Sequence, residues 1–435
     1  MYVLIAVIVL LSAAVIIQIP EFGFVMMMLI PLVKDLAMLP AEDNILLNLL
    51  LIFTLVTIGS VLLKYFREIR TLLLPKIHSI LFLLFVAVLS FSLLYTNSLE
   101  YGLEKLAKFI FFNGFLFFSG MLVFQNTKRC DVYLKLLESG IIILSIISSG
   151  LIIQNILSGN FAKMLVARFT ITGGNPIGMA RVCGLGVLLG IVSLVENKRK
   201  IYIFIALLPM VLSLAASNTR GPVIALFAVV FIYLFFIVNI GWTKKILALL
   251  AFVLGVICIY AILPENLLNR YMYLFQSNSL STAQSVTQAS SSAQRLIFFQ
   301  RIFEYFQDYP LSLIWGNGIG NFAKLFEEYQ VAYYPHNIFL EILYEQGLIG
   351  LVIFSVSLFH ILWGAIQIIS KKEAKQYFVK IFLAFMYFLI NAQVSGNLSD
   401  NRYVWFFAGA LIGLITAYKE QDVHNSSRMN YDFSL

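Results

Sequence analysis

The chain has 435 residues, of which 60% are hydrophobic and only 12% charged, with a net charge of +8 and a mean hydropathy of +0.90. A soluble globular protein carries roughly 25% charged residues, so water is not the main solvent. The basic balance belongs to an orientation signal in a membrane rather than to nucleic-acid binding.

Thirteen apolar runs follow in chain order: 2–19, 22–38, 45–63, 77–95, 106–124, 136–157, 176–195, 201–216, 223–240, 246–263, 337–370, 378–393 and 403–418. A helical span needs about 20 such residues, which predicts an all-α polytopic membrane protein of 12 or 13 transmembrane helices. The chain reads as one integral membrane domain, 1–435, with one large outer loop at 264–336. Met1 to Ile19 lacks a basic n-region and is followed at once by further spans, so it is not expected to be a cleavable signal. The run 337–370 is too long for one upright span, and its first half is expected to enter obliquely.

Basic connections recur at Lys64, Arg67, Arg70 and Lys76; at Lys128, Arg129 and Lys135; at Lys198 to Lys200; at Lys244 and Lys245; and at Lys371, Lys372 and Lys375. Two apolar runs separate each set from the next, so all of them fall on one side, the cytoplasm, by the positive-inside rule. Segments 96–105, 158–175, 217–222, 264–336 and 394–402 then lie outside. The interruption at Lys34 and Asp35 leaves the side of the N-terminus open.

The outer segments carry arginines: Arg168, Arg181, Arg220, Arg270, Arg295, Arg301 and Arg402. A guanidinium offers a planar fork of donors matched to phosphate oxygens, and it stays charged when partly desolvated. The set therefore points to a phosphorylated lipid held at the surface, against the plainer reading of headgroup contacts or ion pairs with Glu265, Glu304 or Asp400. Arg220 stands in the polar break Ser217-Asn218-Thr219-Arg220-Gly221-Pro222. Pro222 favours a helix start there, where dipole and free N–H groups help bind an anion.

Within the outer loop, 276–294 is rich in Ser, Gln and Thr and reads as a tether. Arg295 to Tyr309 is amphipathic, with Leu296, Phe299, Ile302, Phe303 and Phe306 at helical spacing, and is expected on the membrane surface or over a cavity. Gly316-Asn317-Gly318-Ile319-Gly320 looks like a nucleotide loop but follows no strand, and that reading is rejected. His336 stands at a helix start after Pro335, where a neutral imidazole can accept a proton from a sugar hydroxyl; Asn337 can orient it, contact the sugar, or simply cap the helix. His78, His360 and His424 are scattered, and Cys130, Cys183 and Cys258 form no spaced framework, so no metal site or disulfide scaffold is expected.

Residues 170–393 resemble the O-antigen ligase and Wzy-type polymerase superfamily of bacterial surface polysaccharide assembly. The likeness rests, in order, on Thr219-Arg220-Gly221, on Arg295 with Phe299 in place of the family's Trp, on the turn Gly316 to Phe322, and on His336-Asn337 followed by Glu345, Gly347 and Gly350. The resemblance implies a GT-C-like glycosyltransferase of the bacterial cytoplasmic membrane, with its active site facing the periplasm or exterior. It implies an undecaprenyl-diphosphate-linked glycan as donor, no cofactor and no metal ion. Arg220 and Arg295 would bind the donor diphosphate, and His336 would activate the acceptor hydroxyl. Arg181, Arg270, Arg301, Arg402 and Asn337 are further candidate substrate contacts. Polymerisation of lipid-linked repeats is the expected reaction, with a chain-length regulator as a possible partner; ligation to lipid A–core is the alternative. A lipid-linked oligosaccharide flippase is the third reading, disfavoured because the charges gather at one face without internal duplication.

Overall fold

The computed structural model describes residues 2–36, 45–69, 76–159, 176–196, 200–239, 241–261, 291–329, 334–371 and 374–432. Among these the protein is helical throughout, with no strand. Among the described residues each apolar run read from the sequence falls largely on a helix: α1 Tyr2–Gln18, α2 Pro20–Leu36, α3 Ile45–Ile69, α4 Lys76–Phe91, α5 Leu99–Lys108 running through a π turn into α6 Phe115–Val123, and α7 Thr127–Leu157. Then come α8 Pro176–Glu196, α9 Lys200–Ala216, α10 Arg220–Ile232 and α11 Trp242–Ala261. The outer loop supplies α12 Ser291–Asp308 and the single turn α13 Ser312–Trp315, and the chain continues as α14 Ile338–Ser370, α15 Gln376–Asn391 and α16 Arg402–Asp432. Six described helices are long and apolar enough to cross a membrane, and five shorter apolar helices accompany them. The protein is an all-α, multi-pass membrane protein.

Its exterior agrees with that solvent. Leu63, Leu157 and Phe236 are each more than three-quarters exposed, a surface that would aggregate in water. Between helices, apolar attraction is weak in lipid, and close backbone approach through small residues replaces it. A Cβ on Gly409 would lie 2.0 Å from the Phe117 carbonyl oxygen, and one on Gly120 2.8 Å from that of Phe406, so α6 and α16 pack at minimum distance.

The long apolar run is broken as expected. Gly347, inside α14, has φ 67° and ψ −166°, which divides a short entry segment from the span proper. The break strands the carbonyls of Tyr344 and Glu345, and the glycine turn before α14 captures both. Asn317 N donates to Tyr344 O at 2.9 Å and Gly318 N to Glu345 O at 2.9 Å. Gly316 and Gly347 are glycines because a Cβ at either would meet the other's backbone segment at 2.2–2.4 Å. Ile319 N is also engaged, donating to Ser92 Oγ at 3.1 Å. The turn is thus a backbone knot tying the outer loop to α14 and residues 92–102, with no N–H group of 317–319 left for a phosphate.

In α12 the burial differs from the sequence reading. Phe298, Ile302 and Phe306 form a core with Phe322 and Tyr344, whereas Leu296 and Phe303 are more than half exposed. Both faces are apolar, so the helix covers a core inward and presents a second apolar stripe outward. Of the tether 276–294, only 291–294 falls within the described residues.

Candidate functional site

The segment 392–401, between α15 and α16, organises one end of the bundle. Arg181, in the second turn of α8, donates from Nη2 to Ser395 O at 2.8 Å. Gly221, beside Arg220 at the start of α10, sits where a Cβ would lie 2.9 Å from Val394 Cγ2. Asn337 reaches Gln393 O at 3.5 Å, and Ile338 N donates to Ala392 O at 3.1 Å. One loop therefore brings together the arginine of α8, the arginine of α10 and the His-Asn start of α14.

Two short backbone irregularities aim the motif residues. His336 and Asn218 are the non-glycine residues with positive φ among those described, at 56° and 49°. Such left-handed geometry costs of order 1–3 kcal/mol and persists only where surroundings hold it. Asn337 caps α14, its Oδ1 accepting from Leu340 N at 3.0 Å. Capping and positioning are therefore both served by the His-Asn pair. Asn218 precedes Thr219, the cap residue of α10, so Arg220 is the first residue of that helix, as the Gly-Pro signal predicts.

His336 packs between aromatic rings, 4.4 Å from the Tyr334 centroid and 6.4 Å from that of Phe298. Burial, with the Arg295 guanidinium beside it, pulls its imidazole down to about 4, so the ring is neutral at physiological pH. Its Nδ1 is buried without a hydrogen-bond partner. Burial likewise lowers Arg295 from its usual value, although a guanidinium stays protonated. Tyr334 is the neighbour that Arg181 and Arg295 share. Burial raises its phenol, helped by Asp400 and Glu341 and opposed by the two arginines.

The Nε atoms of Arg181, Arg295 and Arg402 are all buried and unpartnered, as are both side-chain polar atoms of Asn218. Buried donors left unsatisfied cost about 1–3 kcal/mol each, and several at one end of a bundle suit an anionic ligand. Arg402 lies 5.3 Å from the Tyr403 ring, and Tyr403 is among the electrostatic neighbours of Arg181. Arg220 is half-buried at the helix start. Arg301 is not brought to this cluster: it is exposed, on an i,i+3 pair with Glu304 at 3.4 Å. Arg270 and Arg168 lie outside the described residues.

Beneath the site is a buried ion triad that the sequence reading missed. Lys105 Nζ stands 2.5 Å from Glu341 Oε1 and 2.6 Å from Glu345 Oε2, with all three side chains at most 2% exposed. Glu341 Oε2 accepts from Leu398 N at 2.9 Å, and Ser399 Oγ donates to Lys105 O at 2.8 Å. The triad thereby fastens α5 and α14 to the loop holding Arg181 and Asn337. A signal was present: Glu341 and Glu345 are four apart on an apolar helix, where like charges repel and a cation must intervene.

Compared with curated proteins, the chain has no match. A family model described as O-antigen ligase (Wzy_C) matches residues 205–355, which contain Arg220, Arg295, His336 and Asn337. The match covers about a third of the chain, and over this stretch the chain is similar to the O-antigen ligase family, a glycosyltransferase-type class of enzymes.

Proposed function

We propose that the protein polymerises undecaprenyl-diphosphate-linked oligosaccharide repeats at the periplasmic face of the bacterial cytoplasmic membrane, by inverting transfer without a metal ion. The observation that carries this reading is the gathering of Arg181, Arg295 and His336 around Tyr334, with three arginine Nε atoms and the His336 Nδ1 buried and unpartnered. The arginines, with Arg220, would hold the donor diphosphate and stabilise the negative charge that grows on it as the glycosidic bond breaks. His336 would take the proton from the acceptor hydroxyl as its oxygen attacks the anomeric carbon.

An imidazole near 4 is a weak base, and the arrangement supplies a remedy. Part of the depression comes from Arg295. A diphosphate on Arg295 offsets that charge and raises the basicity of His336, so the base strengthens once the donor is seated. Desolvation, the larger cause, remains.

Purified protein supplied with lipid-linked repeats as both donor and acceptor should give a ladder of longer lipid-linked glycans. Transfer only after lipid A–core is added would make it a ligase instead. Movement of lipid-linked glycan between leaflets with no new glycosidic bond would overturn both. A chelator should leave turnover unchanged.

A further inference from the structure

Helices α7, α8, α9 and α15 serve a second purpose at the end of the bundle away from the arginines. Arg181 lies in the second turn of α8, Ser217 follows α9, and Ala392 follows α15, whereas Lys380, Tyr202 and Gly190 lie toward the opposite ends of these helices. At 1.5 Å per residue the two levels are roughly 15 Å apart along the axes. There the four helices surround a cavity of about 410 Å³, whose lining includes Asp131, Lys135, Glu138, Ser193, Tyr202 and Lys380. It is within the size range of small-molecule sites.

The walls are apolar where Ile142, Leu207 and Met210 line them, and the charges come in opposite pairs. Lys380 Nζ lies 2.5 Å from Glu138 Oε1, at 9% and 29% exposure. Lys135 and Asp131 are 2.6 Å apart and well exposed, at 73% and 50%. Exposure therefore falls from a wet rim to a largely buried inner pair, with no net charge overall. An apolar recess between membrane helices stays dry and loses packing contacts if empty, so a hydrocarbon chain is its natural filling.

The charge pattern selects the head group. A purely anionic head would bring its phosphate to lysines already paired with Glu138 and Asp131, leaving the site with an uncompensated negative charge. A head carrying phosphate and primary ammonium satisfies both pairs, phosphate on Lys380 and Lys135, ammonium on Glu138 and Asp131. A quaternary ammonium has no N–H to donate to those carboxylates. We infer that this cavity is a binding site for a zwitterionic aminophospholipid of the phosphatidylethanolamine type, separate from the transfer site at the other end of the same helices.

The test uses the full chain purified in detergent, titrated with phosphatidylethanolamine, phosphatidylglycerol or phosphatidylcholine, and read by native mass spectrometry and thermal midpoint. The wild type should retain one phosphatidylethanolamine and be stabilised by it at about tenfold lower concentration than by phosphatidylglycerol. Ala206→Trp, which fills the cavity without touching a charge, should abolish retention. Glu138→Gln, which leaves the lysines in excess, should reverse the preference toward phosphatidylglycerol, a readout within one folded variant that general destabilisation does not mimic. Equal stabilisation by the three lipids in the wild type, phosphatidylethanolamine retained by Ala206→Trp, or an unchanged preference in Glu138→Gln would each overturn the assignment.

Discussion

His336 combines a strained backbone, a buried unpartnered Nδ1 and a depressed basicity, and each has a measurable consequence. With the imidazole near 4, the free enzyme should show no limb from this group between about pH 5 and pH 8 in kcat/KM. The corresponding limb in kcat should sit higher, because a bound diphosphate offsets the Arg295 charge. Identical limbs near the ordinary histidine value in both profiles would contradict the depressed basicity and its relief by the donor. Arg220→Lys and Arg295→Lys keep the charge but lose the fork, and each should reduce turnover about 10²-fold with the fold intact; near-normal turnover would remove either from the diphosphate site. That Arg220 and His336-Asn337 stand at helix starts was legible, because Pro222 and the capping Asn337 mark those starts in the sequence. Tyr334 was not, since a tyrosine beside Pro335 carries no signal until the fold places Arg181 and Arg295 around it.

The joint between the glycine turn and the break in α14 ties the outer loop to the bundle. Gly347→Ala combines a backbone conformation open only to glycine with a Cβ 2.2 Å from Ile314 O, and should cost about 3 kcal/mol or more. Gly150→Ala, in α7 with nothing within 4 Å of the added carbon, should be tolerated; thermal midpoints in detergent separate the two. The triad gives a second test. Lys105→Met leaves Glu341 and Glu345 buried without their cation, a loss of about 3–5 kcal/mol. Adding Glu341→Gln and Glu345→Gln should recover much of it, and a triple variant no more stable than Lys105→Met would show that charge is not what the triad contributes. The run 337–370 betrayed its break by length alone. The buried face of α12 was not legible, because amphipathic spacing assumes one wet side, and here Phe298 faces a core while Leu296 and Phe303 face outward. Likewise, nothing in the spacing of His78 and His360 placed their rings 6.3 Å apart.

Across the whole molecule, the same helices carry an arginine-rich end and, about a half-membrane away along their axes, the cavity lined by Glu138 and Lys380. Apolar periodicity made the helices readable, and the alternation of basic connections made the two ends readable. The convergence of α5, α8, α10 and α14 on residues 392–401 was not, because that loop carries little charge and its work is done by backbone groups of Ala392, Gln393, Ser395 and Leu398. The central claim is that this convergence forms a transfer site in which arginines hold the donor and His336 performs the proton step. Its most direct test measures donor binding and glycosyl transfer side by side in the wild type and in His336→Ala, with purified protein and lipid-diphosphate-linked glycan. The account predicts that His336→Ala binds donor like the wild type and forms no new glycosidic bond. Transfer at the wild-type rate by His336→Ala would contradict it, leaving His336 as a helix-entry residue and the proton step to another group.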